Sequence, residues 1–312
     1  MAHHFTIGID LGGTNIKAGV LDAHNRPVFR TTIETQAEAG FQHVFDKLVK
    51  LIADLHAQPP LNKVDRIPVG IGVPGPMSHA QGLIHSAPNM PGWINIPLRT
   101  MLHDATGLPV NVENDANAAA YGEFIAGAGV GTRELVMLTL GTGIGGGLVI
   151  GGRLQRGFFD NAGEIGHMIV ELDGRPCPCG QRGCLERYAS ATAIATLYCE
   201  ASVNTVESGI SAAEVAERAR MGDPHAKTVW DSACRYLAIA CINLQHVLNP
   251  ELVIFSGGLI GAGDQLLSAV QAHFNSLTWN AAKDFPKIKL AALGGDAGWL
   301  GAAALAQVQF PD

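Results

Sequence analysis

The chain has 312 residues, of which 47% are hydrophobic and 16% are charged, and its formal net charge is −7 at pH 7. This length supports one large or two ordinary domains with a hydrophobic core, and the composition excludes a disordered chain. Lys/Arg-rich runs are absent, which argues against nucleic acid as a partner.

The first half of the chain alternates between extended and helical patterns. Apolar residues at helical spacing predict a helix from Phe41 to Leu55, which Pro59-Pro60 ends. Asn114 and Asp115 offer helix-capping side chains before a helix over residues 116–126. The predicted strands cover residues 5–10, 16–21, 27–34, 67–73 and 110–113.

The second half begins with a strand over 134–140, continues extended over 148–150, and reads as strand-like over 165–172. It becomes mostly helical from about Glu186. Ser211 and Glu214 form a capping-box pattern, and Asp223-Pro224 opens a long helix. Strands over 252–255 and 288–293 flank a further helix, and a last helix starts near 297.

Nothing in the sequence indicates a membrane partner. The N-terminus lacks the charged and apolar regions of a signal peptide. Residues 135–152 are uncharged, but seven of them are glycine, which makes a membrane helix implausible. We therefore expect a cytoplasmic protein.

Two glycine turns between extended segments resemble each other, Leu11-Gly-Gly-Thr14 and Leu140-Gly-Thr-Gly143. This internal similarity suggests two related βββα-type domains that each offer one loop to a shared ligand. Glycine lets backbone N–H groups approach a phosphate closely. Asp10, directly before the first turn, could hold Mg²⁺ through water. The alternative is a pair of ordinary hairpin turns.

Two other nucleotide motifs fit poorly. No Gly-Lys dipeptide occurs, so a Walker A loop is excluded. Gly141, Gly143 and Gly146 match a dinucleotide fingerprint, with Glu164 in place of the ribose acid. That motif should open a helix, whereas the residues after Gly147 read as a strand and a turn, which disfavours a dehydrogenase.

Four residues have the composition of a zinc site, His167, Cys177, Cys179 and Cys184. Three thiolates and one imidazole complete a closed tetrahedral shell, so such a metal would be structural. Buried free cysteines are the alternative, but they prefer apolar helices and strands. An iron–sulfur site is a second alternative.

Three acids flank these motifs, Asp115, Glu164 and Glu186. Carboxylates accept hydrogen bonds from sugar hydroxyls, and one of them can take a proton from an attacking hydroxyl. Asn89 lies in a loop with two prolines and could bind the same ligand. The alternatives are an N-cap for Asp115, solvated loop acids, and an Asx turn for Asn89. Trp93 more often packs in a core than against a sugar.

Together these residues resemble the ROK family (repressor, open reading frame, kinase) over essentially the whole chain. The resemblance implies an α/β, actin-like (ribonuclease H-like) two-domain sugar kinase fold, with a cleft between the domains and a structural zinc loop. It predicts a smaller domain over 1–117 plus the helix at about 297–312, and a larger domain over 118–296. The motifs that carry it include Asp10-Leu-Gly-Gly-Thr-Asn15, Pro74-Gly75-Pro76, Glu113-Asn-Asp-Ala-Asn117, Gly163-Glu-Ile-Gly-His167 and Ser256-Gly-Gly258.

The resemblance implies phosphorylation of a hexose at its 6-hydroxyl by ATP, with Asp115 as the general base. Glucose is the expected hexose, and N-acetylmannosamine or N-acetylglucosamine is the alternative. Residues implied to bind the sugar are Gly75, Asn89, Asn114, Asp115, Glu164, His167 and Glu186. Residues implied at the nucleotide are Asp10 (through Mg²⁺ and water), Gly12, Gly13, Thr14, Asn15, Lys17, Gly141, Thr142, Gly143, Gly257 and Gly258. The implied zinc ligands are His167, Cys177, Cys179 and Cys184.

Family habit further implies a homodimer, or else a tetramer. The family also contains repressors with an N-terminal DNA-binding domain, and only nine residues precede Asp10 here, so we expect a kinase. A sugar sensor without catalysis is the alternative from another functional class. The presence of Asp10 and Asp115 argues against it.

Overall fold

The computed structural model describes residues 5–64, 66–87, 89–201, 209–279 and 286–311. The chain forms two compact units. Unit 1 comprises Met1–Gly131, Leu154–Ala162 and Leu293–Asp312, and unit 2 comprises Thr132–Arg153 and Gly163–Ala292. The division into a smaller domain over 1–117 plus about 297–312 and a larger domain over 118–296 remains a prediction. Within the described ranges, every helix is too short or too polar to cross a membrane.

Unit 1 contains a five-stranded sheet, a small three-stranded sheet and the first three helices. Its strands are β1 (Phe5–Leu11), β2 (Asn15–Asp22), β3 (Pro27–Glu34), β4 (Val69–Val73), β5 (Met77–Ser78), β6 (Leu83–Ser86), β7 (Ile94–Ile96) and β8 (Val110–Asn114). Its helices are α1 (Phe41–His56), α2 (Leu98–Thr106) and α3 (Asp115–Ala126). The large sheet has the order β3-β2-β1-β4-β8, and the small sheet has the order β5-β6-β7.

Unit 2 repeats the same kind of sheet and is otherwise mostly helical. Its strands are β9 (Leu135–Leu140), β10 (Ile144–Ile150), β11 (Arg153–Gln155, which leads into unit 1), β12 (Leu252–Ser256) and β13 (Lys287–Leu290). Its helices are α4 (Glu186–Ala189), α5 (Ala191–Ala201), α6 (Ala212–Met221), α7 (Pro224–Leu248) and α8 (Asp264–Leu277). The chain returns to unit 1 for the last helix, α9 (Ala297–Gln309).

The two five-stranded sheets have the same topology. The second sheet has the order β11-β10-β9-β12-β13, which matches β3-β2-β1-β4-β8 strand for strand. In each sheet a hairpin, β1–β2 or β9–β10, is antiparallel, and the next two strands run parallel to the first strand of the hairpin. The two resembling glycine turns are therefore equivalent positions of a repeated unit.

Several predicted helix boundaries are confirmed by their capping contacts. The Asn114 side chain accepts from the N–H groups of Ala116 and Asn117 at the start of α3. Ser211 and Glu214 form the complete capping box of α6. Asp223 caps α7, which has Pro224 in its first turn.

Two sequence-based predictions about β-structure are wrong. The strand predicted over 165–172 is a short 3₁₀ turn at Ile165–His167, followed by a single bridge at Ile169. The reason is steric: a Cβ on Gly166 would lie 2.0 Å from the Ile144 carbonyl oxygen, so the segment crosses β10 too closely to pair as a strand. The extended segment predicted over 148–150 begins four residues earlier, at Ile144, where β10 starts.

The start of β10 also excludes the dinucleotide fingerprint. Gly146 and the residues after it continue as a strand, and Gly146 pairs with Leu138 of β9. A Rossmann motif needs a helix at this point. The dehydrogenase alternative therefore fails on local structure.

Helix α9 packs on unit 1 through backbone contacts that only glycine permits. A Cβ on Gly8 would lie 2.1 Å from the Trp299 carbonyl oxygen, and one on Gly70 would lie 1.8 Å from that of Ala302. A Cβ on Gly301 would lie 1.7 Å from the Ala118 carbonyl oxygen of α3. Helix α3, which begins at Asp115, is therefore held in place by close packing against α9.

Replacing Gly301 with Ala is expected to lower the free energy of unfolding by about 3 kcal/mol, since the added methyl forces α3 and α9 apart. Ala favours a helix over Gly by up to ~1 kcal/mol, so a net loss can only come from this clash. Urea denaturation measures the change. Val308→Ala, at an exposed position of the same helix, is the control and should change stability by less than about 0.5 kcal/mol. A Gly301→Ala variant as stable as the wild type would contradict the packing described here.

Candidate active site and metal centre

In unit 1 the predicted site residues follow the ends of parallel strands. β1, β4 and β8 run parallel and end at neighbouring positions of one sheet edge. Asp10 lies near the end of β1, Gly75 follows β4, and Asn114 and Asp115 follow or end β8. Ligands of α/β proteins bind outside the carboxyl ends of such strands.

The Asp10 carboxylate is enclosed. A Cβ on Gly298, in the first turn of α9, would lie 2.7 Å from its Oδ2 atom. Burial raises the pKa of Asp10 to about 6, and the positive charge of Lys17, its cross-strand partner, lowers it in part. A cation on the exposed side of such a carboxylate would stabilise its charged form.

The turn between β1 and β2 is held by a residue that the sequence analysis missed. The Gly12 N–H donates to the Asn15 carbonyl at 3.0 Å. The buried Thr35 hydroxyl donates to the Gly12 carbonyl at 2.6 Å, and its N–H donates to the Thr14 carbonyl at 2.8 Å. These bonds hold the turn in one shape while Gly13 and Thr14 stay exposed.

Asn89 lies beside this turn. A Cβ on Gly13 would lie 3.6 Å from the Asn89 Cβ atom. Trp93 is 1% exposed, and its ring packs edge-on against Phe41 at 5.2 Å between centroids. Trp93 is therefore a core residue that supports the Asn89 loop, as the packing alternative predicted.

Gly75, Asn114 and Asp115 lie together. Gly75 has φ +92°, and a Cβ there would lie 2.1 Å from the Ser86 carbonyl oxygen, so only glycine fits. The Asn114 amide donates to the Gly75 carbonyl at 3.4 Å. Asp115 is the half-buried first residue of α3, and its Oδ1 atom accepts from the Ala116 N–H at 2.8 Å. A carboxylate at a helix N-terminus is stabilised in its charged form by the helix dipole.

The buried carboxylate of Glu113 lies next to Asn114, at the start of α3. Its Oε1 atom accepts from the Asn114 N–H and from the Asn117 side-chain amide, both at 3.1 Å. Its Oε2 atom accepts from Arg156 Nε at 2.7 Å and pairs with the Arg156 Nη2 atom at 2.7 Å. No local pattern in the sequence marks Glu113, because its partner Arg156 is 43 residues away in the chain.

His79 lies beside the same carboxylate. Its Nδ1 atom is 3.0 Å from the Val112 carbonyl oxygen and 3.5 Å from Glu113 Oε2. Burial lowers the pKa of His79, an effect that outweighs the opposing charge of Glu113. Burial therefore favours the neutral form of His79, and Arg156 is the cation that pairs with Glu113 through both Nε and Nη2.

In unit 2 the second glycine turn contacts Glu186, a residue predicted to bind the sugar. The Gly141 N–H donates to the Gly143 carbonyl at 3.0 Å, and Thr142 between them is exposed. Glu186 Oε2 accepts from the Ile144 N–H at 2.9 Å. A Cβ on Gly143 would lie 2.3 Å from the same oxygen. The structure thus joins a predicted phosphate turn and a predicted sugar carboxylate.

Gly258 borders a cavity of about 330 Å³ within unit 2. Gly257 has φ +88° and packs against the end of β9, where a Cβ would lie 2.5 Å from the Leu140 carbonyl oxygen. The cavity is lined by residues that the sequence analysis did not single out, among them Ala216, Glu217, Arg220, Trp230 and Gln265. They come from α6, α7 and α8, whose convergence is visible only in the fold.

The four predicted zinc ligands come together in unit 2. Their ligand atoms all lie within 4.8 Å of one another. The Cys177 Sγ to His167 Nδ1 distance is 3.8 Å, and the Cys179 Sγ to Cys184 Sγ distance is 3.7 Å. Tetrahedral zinc with bonds of about 2.3 Å requires ligand separations of about 3.8 Å. The donor set and its spacing therefore fit zinc.

The surroundings of the cluster also suit a metal. Cys184 is completely buried, and burial raises the pKa of its thiol to about 12, so metal binding there would displace a proton. His167 presents Nδ1 to the cysteines, while its Nε2 atom lies 3.9 Å from Glu164 Oε2. A carboxylate at the outer nitrogen of a metal-binding histidine is common, since it orients the ring.

Comparisons with known proteins agree with this geometry. The sequence profile of the ROK family matches residues 6–309. A glucokinase from Halalkalibacterium halodurans is 37% identical over 99% of this chain and 97% of its own length. The crystal structure of a ROK hexokinase from Thermus thermophilus is 35% identical, with 98% of each chain covered and a TM-score of 0.85. A ROK family glucokinase from Streptomyces griseus, solved with glucose and AMPPNP, is 34% identical over 97% of this chain and 99% of its own, with a TM-score of 0.78.

Proposed function

This chain belongs to the ROK family, and we propose that it transfers the γ-phosphoryl group of ATP to the 6-hydroxyl of a hexose, with glucose as the preferred acceptor. The observation that carries this proposal is the full-length similarity to kinases, one of them solved with glucose and an ATP analogue. Asp115, at the first position of α3, supplies the group that the chemistry requires.

Asp115 is the proposed general base. Its carboxylate accepts the proton of the 6-hydroxyl as that oxygen bonds to the γ-phosphorus, and the bond from phosphorus to the bridging oxygen breaks to release ADP. The other groups orient the sugar through its hydroxyls, which need both donors and acceptors. The residues proposed to bind these hydroxyls are Gly75, Asn89, Asn114, Glu164, His167 and Glu186.

The two glycine turns and Asp10 are the proposed phosphate site. Backbone N–H groups of Gly13 to Asn15 and of Thr142 and Gly143 would donate to phosphate oxygens, with Lys17 as a nearby cation, while those of Gly12 and Gly141 close the two turns. Mg²⁺, held by Asp10 through water, would neutralise charge on the transferred phosphoryl group. The cavity of about 330 Å³ beside Gly258 is the proposed place of the adenosine.

Zinc at the cysteine cluster is proposed as a structural ion. All four positions of its tetrahedral shell are filled by protein, so a catalytic water has no place there. His167 is a ligand, and Glu164 is three residues before it. Glu186 is two residues after the ligand Cys184. The metal would therefore hold both glutamates in position for the sugar.

We expect the purified protein to release ADP from MgATP fastest with glucose, at a kcat of about 1–100 s⁻¹. A coupled ADP assay across glucose, mannose, fructose, allose, N-acetylmannosamine and N-acetylglucosamine measures this, with zinc determined on the same sample. Mass spectrometry and NMR of the product identify the phosphorylated hydroxyl.

Each outcome of this panel has a meaning. Preference for an N-acetylhexosamine would keep the kinase and overturn glucose as the acceptor. Sugar binding by calorimetry without ADP release on any sugar would overturn the kinase in favour of a sensor. A cytoplasmic homodimer, or else a tetramer, also remains a prediction, and sedimentation velocity tests the assembly.

A further inference from the structure

We propose that Glu113 and Arg156 are a positioning pair that fixes Asp115 and Asn114 at the start of α3. This inference rests on the proposed function, because it assigns the pair to the placement of the general base. Neither residue touches substrate in this proposal. They act through the first turn of α3.

The contacts of Glu113 surround Asp115 in the chain. Its Oε1 atom accepts from the N–H of Asn114, immediately before Asp115, and from the side chain of Asn117, two residues after it. Asn114 in turn caps the helix by accepting from the Ala116 and Asn117 N–H groups at 2.9 and 3.1 Å. A displacement of the Glu113 carboxylate therefore releases a backbone N–H before the proposed base and a side chain after it.

The Glu113 carboxylate depends on Arg156 for its charge balance. Glu113 is 1% exposed, and a buried charge without a partner is strongly unfavourable. Burial lowers the pKa of His79 and so favours its neutral form. The Arg99 guanidinium donates to the carbonyls of His79 and Ala80. Among the described residues, the one ion pair that Glu113 makes with an arginine is with Arg156, through both Nε and Nη2.

Arg156 is itself held in place at the base of a closed loop. The Ala162 N–H donates to the Arg156 carbonyl at 2.9 Å, which closes the loop over residues 156–162. Asp160 Oδ2 accepts from the His79 N–H at 2.7 Å, which attaches the loop to unit 1 a second time. The two-pronged guanidinium contact therefore starts from a fixed backbone, as positioning requires.

The test compares Arg156→Met, Arg156→Lys and the double variant Glu113→Gln/Arg156→Met. For Arg156→Met we expect kcat for glucose to fall by about 10²-fold, with KM changed by less than about 5-fold, since a misplaced base costs turnover more than binding. Arg156→Lys keeps the charge but loses the two-pronged contact, and kcat should fall by about 10-fold. The double variant should recover about 5-fold in kcat over Arg156→Met, since it no longer buries an unpaired carboxylate.

The matched control is Arg26→Met, which removes an exposed arginine from an ion pair with Asp22 in the same unit. Its kcat should stay within about 2-fold of the wild type. The proposal is overturned if folded Arg156→Met and Arg156→Lys keep wild-type kcat while only their melting temperatures fall, which would be a merely structural role. It is also overturned if the double variant shows no recovery of kcat over Arg156→Met.

Hydrogen–deuterium exchange separates this proposal from the proposed function. In Arg156→Met the peptide at the start of α3 should exchange about 10-fold faster, because the Asn114 cap loosens. This readout requires no turnover. If the wild type phosphorylates no sugar, the proposed function fails, and unchanged exchange in the variant would then overturn the positioning pair as well.

Discussion

Replacing Asp115 with Asn is expected to lower kcat for glucose phosphorylation by about 10³-fold, while the Kd for glucose changes by less than about 3-fold. The amide cannot accept the proton of the 6-hydroxyl, so the loss falls on the transition state. Its oxygen can still accept from the Ala116 N–H, as the carboxylate does at 2.8 Å, so the start of α3 is preserved. Steady-state kinetics give kcat, and calorimetry with glucose gives Kd.

The control for this variant is Asp104→Asn, which removes a carboxylate from an exposed position of α2 in the same unit. Its kcat should equal that of the wild type. An Asp115→Asn protein with near-normal turnover would refute the assignment of the base. A large rise in the Kd for glucose with unchanged kcat would instead make Asp115 a binding residue only.

The local signals in this sequence were sufficient for much of the fold. Caps such as Asn114 and Ser211 act over three or four residues, so their partners are visible in a short window. The cluster of His167, Cys177, Cys179 and Cys184 was predictable for a related reason. Its three cysteines lie within eight residues, and a polar, turn-rich loop around them favours a metal over a core.

Other parts depend on contacts between distant segments, which residue patterns in one chain do not reveal. Thr35 holds the first glycine turn from 23 residues away, and Arg156 reaches Glu113 from 43 residues away. The segment after Gly163 has the apolar content of a strand. It folds as a 3₁₀ turn, because it must pass over β10 at Gly166 before His167 reaches the cysteines. Helix α2 and the small β5-β6-β7 sheet were missed because their apolar patterns are short.

A similar feature occurs in both units, a carboxylate that accepts from a backbone N–H beside a glycine turn or a helix start. In unit 1, Glu113 holds the turn of chain that presents Asp115. In unit 2, Glu186 accepts from the Ile144 N–H, directly after the turn at Gly141 to Gly143. Glu186 itself lies two residues after Cys184, one of the predicted zinc ligands. Rigid placement of polar groups is what phosphoryl transfer needs, since its catalysis is mostly positioning and electrostatic stabilisation.

Replacing Cys184 with Ser is expected to reduce bound zinc from one per chain to near zero and kcat/KM for glucose by about 10³-fold. Cys184 is completely buried and lies two residues before Glu186, so loss of the metal releases the start of α4. His167 would also lose its metal partner, and Glu164 beside it would be free to move. Zinc content by mass spectrometry and steady-state kinetics on the same sample measure both effects.

Far-UV circular dichroism of Cys184→Ser should stay close to the wild type, since the cysteine loop contains little regular structure and each unit keeps its own hydrophobic core. Cys199→Ser, at an exposed cysteine of α5 outside the cluster, is the control and should retain zinc and activity. Removing zinc from the wild type with a chelator should abolish turnover, and adding zinc back should restore it. Full activity in a zinc-free protein would refute the structural role of the metal, and one zinc per chain in Cys184→Ser would refute the ligand set.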